Sequence, residues 1–206
     1  MITVKTDFPI AIDSVDHKYP EGVFWDNNID MNFVIDVENF FNDEKINFAD
    51  LGCAGGQLSV TMSERGHKSI GLEGSSHVHD LDEFLIQKKG FIPLGHENWE
   101  KYKDKVLFNC DLSKDYTIYE DDNIMQFDLI TCWDVMEHFN PEDVDNVIYN
   151  IQKHVKPNRL FIASIAKWDA LLDVEYDNVT VNYHKSVFSD DWWIEKFSKY
   201  YIDYNL

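Results

Sequence analysis

Asn47-Phe48-Ala49-Asp50-Leu51 is an apolar, extended run that ends beside a carboxylate and breaks at once into Gly52-Cys53-Ala54-Gly55-Gly56. The break is followed by a helical pattern over about 57–65, with Gly66 placed to stop it, and by a second apolar run, Lys68-Ser69-Ile70-Gly71-Leu72-Glu73. Strand, glycine turn, helix and strand in that order form a unit whose two strands lie parallel. Further strands are expected at 105–110, 127–132 and 159–165, with intervening helices at 77–88 and from Pro141 onward. Val144, Val147, Ile148, Ile151 and Val155 give the helix after Pro141 one apolar face. A last helix is expected over 189–200, with Trp192, Trp193 and Phe197 as core anchors. N-terminal to the quoted run, Ile29, Phe33, Val37 and Phe40 predict a helix over about 29–42 with Asn27 or Asn28 as its N-cap. Residues 1–28 read as irregular around Pro9, Pro20 and Gly22. The fold class is therefore α/β, a doubly wound and mostly parallel sheet with helices on both faces. Ligands of such sheets bind beyond the carboxyl ends of the strands.

At 206 residues, 44% hydrophobic and 27% charged, the chain has the length and composition of one globular domain with one core. Eighteen Lys and Arg against 38 Asp and Glu give a formal net charge of −20, which disfavours nucleic acid and anionic membrane surfaces as partners. No apolar run approaches the roughly 18 residues that cross a bilayer. Met1-Ile2-Thr3-Val4-Lys5-Thr6-Asp7 lacks the basic start and apolar stretch of a secretion signal. Cys53, Cys110 and Cys132 form no C-x-x-C pair, so reduced thiols and a cytoplasmic setting are expected.

Six of the nine glycines fall within residues 52–74, where backbone must come close to a ligand. Two ligand classes use such a turn, dinucleotides and S-adenosylmethionine. Dinucleotide sites favour G-x-G-x-x-G with pyrophosphate on the helix N-terminus. Here the run is Asp50-x-Gly52-x-x-Gly55-Gly56. A carboxylate at the strand end repels pyrophosphate but attracts the ammonium and sulfonium of S-adenosylmethionine. Glu73 ends the second strand, 23 residues after Asp50, where a carboxylate can accept from both ribose hydroxyls. Asp111, after the third strand, can accept from an adenine amino group while Leu112 packs on the ring.

The runs Phe48 to Gly56, Gly71-Leu72-Glu73-Gly74-Ser75, Cys110-Asp111-Leu112 and Phe127 to His138 together resemble the successive motifs of class I S-adenosylmethionine-dependent methyltransferases, over about residues 46–165. The resemblance implies a Rossmann-like sheet over 46–206 and a variable N-terminal cap, residues 1–45, over the acceptor. It places Asp50, Gly52, Cys53, Ala54, Gly55 and Gly56 at the methionine part of the donor, Glu73 and Gly74 at the ribose, and Asp111 and Leu112 at the adenine. Trp133 would lie beside the transferable methyl.

Methyl transfer is an in-line displacement, and a hydroxyl acceptor needs a base or a metal to lose its proton. His138 and His184 are the candidate bases. Asp134-x-x-Glu137-His138 followed by His184 is similar to the E-x-x-E-H plus His metal site of small-RNA terminal-ribose methyltransferases, and ubiquinone-pathway O-methyltransferases carry a similar E-x-x-E-H. The first likeness implies Mg²⁺ or Mn²⁺ on Asp134, Glu137, His138 and His184, while Glu-His after the fourth strand also occurs in many metal-free members. The expected reaction is O-methylation of a small-molecule or carbohydrate acceptor, the sugar by analogy with glycan-modifying enzymes. N-methylation, a nicotinamide-dependent oxidoreductase, and a donor-binding module that regulates a partner are the alternatives. Members of the family usually finish with a sixth strand and an antiparallel seventh, whereas 201–206 can supply at most one strand, so the sheet is expected to be incomplete at its C-terminal side, with an edge that a second chain or adjoining domain covers.

Overall fold

The computed structural model describes residues 1–80, 92–174 and 178–200. Its centre is a five-stranded sheet made of β2 (Asn47–Leu51), β3 (Lys68–Glu73), β4 (Leu107–Asn109), β7 (Phe127–Trp133) and β8 (Val155–Ser164). The spatial order is β4-β3-β2-β7-β8, and every neighbouring pair is parallel. The chain winds outward from β2 through β3 to β4, then returns to the other side of β2 for β7 and β8. The strand order thus reverses between β2 and β7, and a crevice opens beyond Leu51 and Trp133.

Alternation along the strands feeds two faces. Phe48 and Leu129 pack with Val34 and Val37 of α3 (Met31–Phe40) and with Leu58 and Met62 of α4 (Gln57–Glu64). Ala49, Leu51, Ile130 and Cys132 pack on the opposite face against Val144, Val147, Ile148 and Ile151 of the helix Val144–His154, and against Trp193 and Phe197 of the helix Asp190–Ser198. Trp193 and Phe197 therefore sit in the core, as the apolar spacing requires. Among the described residues no helix is long and apolar enough to cross a membrane.

Several expectations need correction. Residues 1–28 are not all irregular: β1 (Ile2–Thr6) pairs antiparallel with β5 (Tyr116–Glu120), and β5 pairs with β6 (Asn123–Ile124). The Glu120-Asp121-Asp122 run forms the exposed tip of that hairpin, with Asp121 at φ 54°. The N-cap of α3 is Asp30, which accepts from the Asn32 amide at 2.8 Å, not Asn27 or Asn28. Of the helix expected over 77–88, only a 3₁₀ turn at Ser76–Val78 is seen within the described part, and residues 81–88 lie outside it. A helix at His96–Tyr102, α5, has one buried side chain, Trp99, too sparse a pattern to announce itself. After β8, Leu171–Val174 and Val179–Asn182 form a separate antiparallel hairpin, so among the described residues β8 has β7 as its one neighbour in the sheet.

Candidate active site

The glycine turn between β2 and α4 is held from three directions. Gly52 and Gly56 take φ of +74° and +80°, and Ala54 follows them into the left-handed region at +43°. Asn27 lies across the start of α4, and its Oδ1 accepts from the Gln57 amide at 3.1 Å. Asn27 is thus a helix cap, but for α4 and supplied from another segment. From α5, Trp99 Nε1 donates to the Ala54 carbonyl at 2.8 Å and Asn98 Nδ2 to the Gly55 carbonyl at 3.0 Å. Every backbone amide from 52 to 57 already has an acceptor: the Leu72 carbonyl for Gly52 and Cys53, Glu73 for Ala54, Asp26 for Gly55, Cys53 for Gly56 and Asn27 for Gln57. Pyrophosphate binding at such a turn depends on unsatisfied amides, and this turn offers none.

A cavity of about 640 Å³ lies at the carboxyl ends of the strands, where the order reverses. Gly52, Ala54, Glu73, Gly74, Asp111 and Leu112 line one part of it, and Trp133, Asp134, Val135, His138, Phe139 and Lys185 another. Its roof is the N-terminal segment Asp7–Asp16. That strap is pinned by the Ala11 amide on the Gly74 carbonyl at 2.8 Å and by the Asp111 amide on the Phe8 carbonyl at 2.9 Å. Only Gly22, Val23 and Asp26 reach the wall from the rest of the N-terminal region. His17, Tyr19, Phe24 and Trp25 are not on it. His17 instead stacks on His77 with ring centroids 4.6 Å apart.

The two acids of the donor motif are placed differently from each other. Glu73 is buried on the cavity wall, with one carboxylate oxygen on the Ala54 amide at 2.9 Å and the other on the Ser75 amide at 2.8 Å. Burial raises its pKa to about 7, against the lowering effect of those amides. Each oxygen keeps acceptor capacity for a ribose hydroxyl. Asp50 is not on the wall. Its carboxylate is buried beneath the turn and accepts from Thr131 Oγ1 at 2.7 Å. Burial pushes it up to about 7, with Thr131 opposing and the charges of Asp26 and Glu73 adding to the rise. Cys53, Gly55 and Gly56 likewise lie off the wall. A Cβ on Gly55 would strike Asn27, and one on Gly56 would strike Leu107, so those glycines serve packing. Asp111 Oδ1 accepts from the Ser113 amide and hydroxyl, at 2.9 and 2.7 Å.

Beyond Trp133 the chain enters a 3₁₀ turn, Met136–His138. His138 lines the cavity, and its Nδ1 lies 2.9 and 3.0 Å from the two carboxylate oxygens of Asp16. Burial opposes a charge on this imidazole, yet the hydrogen bond and charge of Asp16, with Glu137 and Asp134 behind it, raise the pKa. His184 is off the wall, its ring centroid 5.0 Å from that of His138 and its Nδ1 on the Trp168 carbonyl. Glu137 is fully buried: Oε1 accepts from the Ala166 amide at 2.9 Å, while Oε2 has no partner.

One atom each of Glu137, His138 and His184 lie within 4.8 Å of one another, a spacing that fits a divalent cation. Asp134 does not join them. Its backbone turns at φ 51° and its carboxylate accepts from Ser164 Oγ at 2.8 Å. Of the expected four-residue metal set, three members converge. Asp16, Asp26 and Trp99 escaped the sequence reading, and Asn27 entered it only as a candidate cap for α3. The one local signal was Ser14, whose hydroxyl caps the short helix that carries Asp16 (Val15–Lys18) by accepting from the His17 amide at 3.0 Å.

Residues 32–195 match a family described as methyltransferase domain. A ubiquinone biosynthesis O-methyltransferase from Rickettsia typhi is 25% identical over 143 residues, which cover 67% of this chain and 49% of that protein. A second, from Rickettsia conorii, is 26% identical over 130 residues, 63% of this chain and 38% of that protein. The chain spans about half the length, or less, of these curated relatives. A Clostridium acetobutylicum S-adenosylmethionine-dependent methyltransferase superposes with a TM-score of 0.53 at 16% identity, covering 84% of this chain and 81% of that one. A Pyrococcus horikoshii protein does so with a TM-score of 0.52 at 14% identity, covering 88% of each.

Proposed function

This chain belongs to the class I S-adenosylmethionine-dependent methyltransferases, and from that premise we propose that it transfers the donor's methyl group to a hydroxyl of a small-molecule or carbohydrate acceptor, with His138 as the base. The observation that carries this reading is an imidazole on the cavity wall, backed by a carboxylate, beside the part of the crevice lined by Trp133. The curated relatives are named O-methyltransferases, which favours oxygen over nitrogen. The fully occupied amides of residues 52–57 argue against the dinucleotide alternative.

In the proposed reaction the acceptor oxygen attacks the sulfonium methyl carbon. The new O–CH₃ bond forms as S–CH₃ breaks, and the electron pair stays on sulfur as S-adenosylhomocysteine leaves. The hydroxyl proton goes to the imidazole of His138. The chain's main contribution is to hold the reacting atoms in line about 3 Å apart. Asp7, Asp13, Asp16, Asp26, Asp134 and Asp143 all reach the cavity wall, against Lys114 and Lys185, so the walls favour a neutral or cationic acceptor over an anionic one. His184 supports the His138 ring rather than reaching the acceptor. A divalent ion on Glu137, His138 and His184 is the alternative to this base: it would lower the pKa of a bound hydroxyl, and a coordinated His138 would then take no proton. A second chain or an adjoining domain along the β8 edge would complete the sheet.

The test is an acceptor panel of phenols, sugars, primary amines and carboxylates, scored by S-adenosylhomocysteine release with Mn²⁺ or with chelator. Turnover of a neutral hydroxyl compound is the expected result. Turnover of amines alone would replace O- with N-methylation, and donor binding with no turnover would favour a regulatory module.

A further inference from the structure

We propose that Asp16 is the positioning residue of the reaction, holding the His138 imidazole in one tautomer from the far end of the chain; the inference rests on His138 being the base. The two side chains are 122 residues apart in sequence, and both carboxylate oxygens of Asp16 approach Nδ1, at 2.9 and 3.0 Å. A carboxylate facing Nδ1 places the single proton of the neutral ring there. That leaves Nε2, which has no hydrogen-bond partner among the described residues, as the nitrogen that takes the acceptor proton. When the ring becomes cationic, the same carboxylate stabilises it without itself taking the proton.

The helix that carries Asp16 is only four residues long, and the fold secures it at both ends. Ser14 caps its start, and Tyr183 Oη donates to the Tyr19 carbonyl at 2.6 Å just past its end. His17 Nδ1, one residue on, lies 3.4 Å from Ser75 Oγ beside the ribose-facing Glu73. The segment that roofs the cavity is thus also the one that aims the base. A tie that merely fastened the strap would gain nothing from two carboxylate oxygens directed at a nitrogen of the one imidazole on the cavity wall.

The tautomer is read by ¹H–¹⁵N NMR of labelled full-length protein, saturated with S-adenosylhomocysteine, in chelator and at alkaline pH. The signal is assigned by its loss in His138→Gln. Wild type should show one tautomer, protonated at Nδ1, whereas Asp16→Ala and Asp16→Asn should show a mixture or the Nε2–H form. With the acceptor found in the panel above, Asp16→Asn should lower kcat roughly 100-fold or more with both KM values within about threefold, and Asp16→Glu should recover at least tenfold of that loss. An unchanged tautomer in Asp16→Ala overturns the proposal, as does a loss confined to KM. If instead His138→Gln keeps its kcat while the tautomer still depends on Asp16, the base assignment falls and the positioning contact stands.

Discussion

Gly95 and Gly55 cross with their backbones in contact: a Cβ built on Gly95 would lie 2.0 Å from the Gly55 Cα. The loop before α5 is thereby pressed onto the turn between β2 and α4, and Trp99 and Asn98 can reach the turn's carbonyls only because the two chains approach this closely. Asn27 fits the same space from the other side. The turn owes its shape to two distant segments as much as to its own glycines.

Gly95→Ala should therefore act on the donor site without touching it. The clash is with backbone, so the turn must shift. The expected result is at least a tenfold loss of S-adenosylhomocysteine affinity, about 1.4 kcal/mol, by calorimetry.

Glu73 and Asp50, both acids of the donor motif, should part company under mutation. Glu73→Ala removes a carboxylate from the cavity wall and is expected to cost roughly tenfold or more in donor affinity. Asp50→Asn alters a group buried under the turn and should leave the affinity within about threefold. Equal losses in the two variants would put Asp50 back in contact with the donor.

Asp50 should instead reveal itself in stability. Its pKa is raised to about 7 in the fold, from an ordinary value of 3.8. Between those values the folded chain holds a proton that the unfolded chain has released. Its contribution is fully present below the lower value and is lost as pH rises through about 7. Asp50→Asn should accordingly gain on wild type by about 4 kcal/mol between pH ~4 and pH ~8, read as the difference in urea midpoints.

His154 carries the opposite slope. Burial lowers its pKa to about 4, against the bond to the Met125 carbonyl. Its Nε2 accepts the Ile118 amide, so the ring must stay neutral to join β5 to the helix that ends at His154. That stability is complete above 6.5 and is lost as pH falls through about 4. His154→Gln should be less stable than wild type at neutral pH but lose less on acidification, which circular dichroism across pH ~6.5 to ~4 will show.

Much of the sheet could be read locally because its strands are continuous apolar runs closed by punctuating residues. Phe48 to Gly56, Gly66 and Pro141 declare themselves within a few positions. The first strand did not. Ile2–Thr6 is half exposed and gains its meaning from pairing with Tyr116–Glu120, more than a hundred residues away. The Asp134-x-x-Glu137-His138 spacing suggested four converging ligands, but a left-handed turn at Asp134 sends its carboxylate to Ser164.

Sequence alone determined the α/β class, the order of the five central strands along the chain, the glycine turn, and Glu73, Asp111 and His138 as residues at or just beyond strand ends, since each depends on periodicity or on neighbours a few residues off. Only the tertiary structure decided that Asp50 lies beneath the turn, that Asn27 caps α4, and that Asp16 faces His138. Those contacts join segments up to 122 residues apart. Side-chain hydrogen bonds of that reach leave no local pattern, because any chain able to bring the two groups within 3 Å will serve.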